Sequence, residues 1–117
     1  RRENFQNRSS VLQSRFDQRM GEVEEARANL ARFTNLEAAL TAERDQIEPL
    51  VRRNLHPEIN LLQLNREIED IAGQRAVTQQ SITRLELAAD EARLQIEELQ
   101  SQFQQEAREE LSATYAE

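Results

Sequence analysis

The side chains with titratable chemistry in this 117-residue chain are mainly carboxylates, and their spacing argues against catalysis. Glu24-Glu25, Glu97-Glu98 and Glu109-Glu110 are adjacent pairs. Neighbours on a helix of 3.6 residues per turn point about 100° apart, so the two carboxyls of each pair do not converge on one substrate as a general acid and base must. They read as solvated faces. His56 is the sole histidine and cysteine is absent, so the chain lacks the second imidazole or thiolate of a metal set. That histidine is expected exposed, at a bend. Gly21 and Gly73 stand singly in helical surroundings, without the glycine-rich context that cradles a phosphate. No catalytic residue, metal or cofactor is expected, and the chain does not read as an enzyme.

Charge chemistry of another kind falls at Glu37 and Arg75. Each interrupts an otherwise apolar stripe, and each occupies an a position of a heptad. With a bend near residues 54 to 57, the two lie at similar heights on opposite helices. They either pair in a polar layer that fixes register or reach solvent separately. Arg19 and Arg44 also interrupt the first stripe, without an evident mate, and predict looser packing beside them.

The elements that position these residues are two helices. A stripe spaced alternately by three and four residues runs in phase through Leu61, Leu64, Ile68, Ile71, Arg75, Thr78, Ile82, Leu85, Ala89, Ala92, Ile96, Leu99 and Phe103. Such a stripe keeps one line of side chains facing a partner helix in a left-handed coiled coil. Upstream, Phe5, Leu12, Phe16, Val23, Ala26, Leu30, Phe33, Leu40, Ile47 and Val51 fit a second heptad frame. Turn chemistry separates the two frames only at Arg53-Asn54-Leu55-His56-Pro57-Glu58. Asn54 tolerates the left-handed conformation that closes helices, Arg52 and Arg53 suit a carboxyl-terminal turn, and Pro57 with Glu58 suits the start of the next helix.

The expected fold is therefore all-α, a long antiparallel two-helix coiled-coil hairpin. It is read as one subdomain, 1–117, with helix 1 over about 3–53, the tip at 54–57 and helix 2 over about 58–116. At about 1.5 Å per residue these helices would reach about 75 and 90 Å. A single seam buries little per residue, so such a hairpin gains from association or from belonging to a larger protein. The non-methionine start and helical end suggest an excised piece.

Composition supports this reading and narrows the partners. Two Gly, two Pro and 4% aromatic residues leave little for turns or a layered core. The net charge of −7 argues against a nucleic-acid arm, which needs a basic surface to neutralise phosphates. All fifteen basic residues are Arg, read as a compositional bias. No run of about 18 apolar residues enters a membrane. Leu87 and Leu94 fall at successive f positions, opposite the seam, and mark a face for lateral packing against a neighbouring hairpin or another helix.

At the bend, Pro49-Leu50-Val51-Arg52-Arg53-Asn54-Leu55-His56-Pro57-Glu58 running into Ile59-Asn60-Leu61-Leu62-Gln63-Leu64 closely resembles the hairpin tip of periplasmic adaptor (membrane fusion) proteins of bacterial type I secretion, the HlyD family. The later run Gln95-Ile96-Glu97-Glu98-Leu99-Gln100-Ser101-Gln102-Phe103 is similar to their returning helix. The family's tip signature is an arginine, a leucine four residues on, and a serine or threonine seven further. Leu50 matches the leucine, while Gln46 and Pro57 replace the arginine and the hydroxyl residue, and Asn54 stands for the usual glycine.

The resemblance implies a hairpin in the periplasm of a Gram-negative bacterium, part of an adaptor anchored in the inner membrane beside an ABC exporter. Through its tip it would meet a TolC-like outer-membrane channel, with copies assembled into a ring, expected to be hexameric. The tip contact set would draw on Gln46, Leu50, Arg52, Arg53, Asn54, Leu55, His56 and Pro57. Two other classes fit the pattern of heptads alone: a structural coiled coil that dimerises separate chains, and a helical arm of a larger enzyme.

Overall fold

The computed structural model describes residues 2–116 and contains two helices, α1 (Arg2–Arg52) and α2 (Glu58–Ala116). The chain reverses between them and forms the expected antiparallel hairpin, with no strand among the described residues. Its helices begin and end one residue from the expected boundaries at α1, and α2 begins after Pro57. Pro57 supplies the carbonyl that accepts the Asn60 N–H at 3.3 Å, so it precedes the first helical turn. Glu58 then stands in that turn, where a carboxylate favours the positive end of the helix dipole.

Two units divide the hairpin. One comprises residues 2–23 with 84–116, and the other is Glu24–Thr83, which carries the chain reversal. In the first, Val23, Ala89, Ala92 and Leu99 are buried, and the Phe5 and Phe103 rings stack with centroids 4.1 Å apart. In the second, Ala26, Leu64, Ile71 and Ile82 are buried, around a seam completed by half-buried Leu30, Phe33, Leu40, Ile47, Leu61 and Ile68. Every position of the α2 stripe from Leu61 to Phe103 is shielded to some degree, which is what a 3.5-residue repeat achieves against one partner.

The first stripe departs from expectation at Arg19. That residue is exposed and pairs with Glu22 at 3.3 Å, one turn on, while Met20 takes the half-buried place. An unbranched thioether accommodates an irregular gap more readily than a guanidinium, whose burial unpaired is costly. Arg44 does face the seam in part and finds its mate in Asp45, with Nη2 3.2 Å from Oδ1. The helices run unbroken through Gly21 and Gly73.

Pro49 lies inside α1, three residues before its end. Its ring nitrogen cannot donate to the Asp45 carbonyl, so the last turn holds one bond fewer than an ordinary helix. The Pro49 carbonyl still accepts the Arg53 N–H at 3.2 Å.

Candidate functional site

The tip is built by a Schellman cap. Asn54 has φ of 56°, the left-handed region, and two bonds follow from that conformation. Leu55 N–H donates to the Leu50 carbonyl at 2.8 Å, and Asn54 N–H donates to the Val51 carbonyl at 3.0 Å. These six-to-one and five-to-two bonds satisfy carbonyls that the helix end would leave orphaned. Leu50 and Leu55 occupy the two places whose side chains usually meet in this motif. Even so they remain 38% and 63% exposed.

Around that cap the expected tip residues are mostly accessible. Gln46, Arg53 and Pro57 are exposed, and Arg52 is exposed with its Nη2 3.8 Å from Glu48. His56 is half-buried: its Nε2 lies 3.2 Å from the Asn60 amide nitrogen, one helical turn on. Imidazole and amide line one groove together with Glu43, Ile47, Gln63 and Leu64. Sequence reasoning missed Ile59 as a surface residue of the tip; it is 54% exposed, and Leu62 three residues on is exposed as well. The signal was available, because Ile59 is an f residue in the first turn of α2.

Away from the tip, the structure brings Glu37 and Arg75 together. Arg75 Nε lies 2.8 Å from Glu37 Oε2, beside a shallow groove lined by Thr34, Ala38 and Thr41. Both atoms are themselves buried and have no hydrogen bond, so this is an ion pair whose N–H is not aimed along the line of contact. Leu87 and Leu94 are exposed, as expected of f positions, and lie in the unit of residues 2–23 with 84–116.

What this arrangement offers is shape and charge. Among the described residues no group of three His, Cys, Asp or Glu converges, and no helix is long and apolar enough to cross a membrane. Its distinctive surface is the reversal itself, where exposed apolar side chains and two exposed arginines surround a hydrogen-bonded cap.

Compared with known proteins, the chain matches the family model described as AprE, long alpha-helical hairpin, over residues 1–117. No curated protein and no solved structure matches it significantly. Since that match covers every residue and the fold it requires is the one observed, the chain belongs to the AprE long alpha-helical hairpin family, the hairpin of a type I secretion adaptor.

Proposed function

We propose that this hairpin is the spacer and docking element of a periplasmic adaptor that links an inner-membrane ABC exporter to a TolC-like outer-membrane channel. The match to the AprE hairpin across all 117 residues carries this reading. The exporter is engaged by parts of the adaptor outside this hairpin, and copies assemble as a ring, six-fold in the full protein. The tip meets the channel end to end.

Docking follows from the chemistry of the cap. Leu50 and Leu55 enter apolar gaps between the channel's helices, and Ile59 and Leu62 extend that contact along the first turn of α2. Arg52 and Arg53 donate charge-assisted bonds to carboxylates or to the free carbonyls at the partner's helix ends. Asn54 holds the leucines in place without itself needing a partner.

The test is secretion by the full-length adaptor carrying Leu50→Asp or Leu55→Asp. Each variant is expected to keep its helix content by circular dichroism and to lose export by more than about tenfold, the change that 1.4 kcal/mol of lost docking energy produces. Leu55, the more exposed of the two, separates docking from any weakening of the cap. Normal export by both variants would defeat this assignment.

A further inference from the structure

The unit of residues 2–23 with 84–116 carries two surface patches that match in spacing and oppose in charge. On α1, Val11 is 53% exposed and forms a shallow recess with Asn7, Arg8 and Leu12. Arg8 lies three residues before Val11 and Arg15 four residues after, both exposed and at the right separation to flank it on one helix face. On α2, Leu94 is likewise 53% exposed, with exposed Glu91 three residues before and Glu98 four residues after. The two patterns are the same, a charge, an apolar side chain and a charge, with arginine on one helix and glutamate on the other.

Among the described residues none of the four charges is engaged. Arg8, Arg15, Glu91 and Glu98 form no ion pair among the described residues, whereas Arg93, between the two glutamates, is held by Glu97 at 2.8 Å and Asp90 at 3.9 Å. Heights agree as well. With the Phe5–Phe103 stack as the common level of two antiparallel helices, Arg8 stands level with Gln100 and Arg15 with Arg93. Glu98 and Glu91 are each two residues from those levels, about 3 Å at 1.5 Å per residue. Long Arg and Glu side chains span that offset.

We infer that these patches bind each other between copies of this chain: α1 of one hairpin lies antiparallel to α2 of another, Leu94 fills the recess beside Val11, and Arg8 and Arg15 pair with Glu98 and Glu91. Leu87, seven residues before Leu94 and also exposed, prolongs the same contact. Because the partners differ in height by only about 3 Å, neighbouring copies stand side by side with little axial shift, the condition for a closed ring and not a climbing filament. The inference deepens the ring assembly proposed above and rests on that reading for its setting, but the contact needs no channel.

The chain has no cysteine, so single-cysteine variants probe the contact cleanly. Val11→Cys chains are mixed with size-tagged Leu94→Cys chains and oxidised, with Ser10→Cys, exposed on an adjacent face of α1, as the control in place of Val11. The expected result is disulfide-linked heterodimer forming several-fold faster with Val11→Cys than with Ser10→Cys. Adding Arg8→Glu and Arg15→Glu to the Val11→Cys chain should bring the rate to the control level, and adding Glu91→Arg and Glu98→Arg to its mate should restore it. Circular dichroism checks that each variant remains helical. Equal rates for Val11 and Ser10, or a rate indifferent to the charge reversals, would overturn the inference. Either result leaves the docking test at Leu50 and Leu55 untouched, since this readout involves neither channel nor exporter.

Discussion

Asn54 is the residue on which the reversal turns, because its φ of 56° places both cap bonds. A side chain with a Cβ costs roughly 1 to 2 kcal/mol in that conformation, glycine nothing, and asparagine is intermediate. Asn54→Gly should therefore hold or raise the denaturation midpoint, while Asn54→Val should lower stability by about 1 to 2 kcal/mol; equal midpoints would mean that the tip relaxes to another turn. At Glu37 and Arg75 the question is register. Both side chains are partly exposed, so the pair is worth no more than about 1 kcal/mol. We propose that it nevertheless fixes one alignment of the helices, since a slipped register strands both buried atoms without a counter-charge. Glu37→Arg and Arg75→Glu should each lower the melting temperature, and the double exchange should recover most of the loss. Additive losses would refute the pairing role.

At the scale of elements, α2 keeps strict heptads and was legible throughout, from Leu61 to Phe103. Legibility failed in α1 where the repeat itself falters. Arg19 holds the formal seam position, but it is exposed while Met20 beside it is half-buried, and presenting Met20 avoids burying a guanidinium. The expected looseness there resolves into a local shift of one position, with Arg19 paired to Glu22 on the surface. Gly21 and Gly73 offer a direct test of whether the helices need soft points. A Cβ at either site meets nothing within 4 Å. Gly21→Ala and Gly73→Ala should each stabilise the hairpin by about 1 kcal/mol, read as a higher denaturation midpoint. A loss of stability at Gly21 would instead mark a joint that the chain uses.

For the whole molecule, the two proposed contacts belong to different units of the chain and fail independently. The tip meets a partner through Leu50, Leu55 and the adjacent arginines, and export reports on it. The flank meets another copy through Val11 and Leu94, and cross-linking between copies reports on it; raised salt should weaken this second contact, because exposed ion pairs are screened over about 8 Å at physiological ionic strength. The sequence by itself determined the fold class, the place of the reversal, the seam of α2 and the family at the tip. Each follows from a local regularity, a 3.5-residue repeat or a turn residue with one favoured conformation, and needs no knowledge of distant atoms. The tertiary structure alone decided that Glu37 meets Arg75, that Met20 displaces Arg19, that Ile59 joins the tip surface, and that Arg8 and Arg15 stand within about 3 Å of the levels of Glu98 and Glu91. Those facts depend on how far one helix slides and turns against the other. Heptads repeat every seven residues and leave that slide undetermined, so only the packed side chains, such as Phe5 against Phe103, select one alignment.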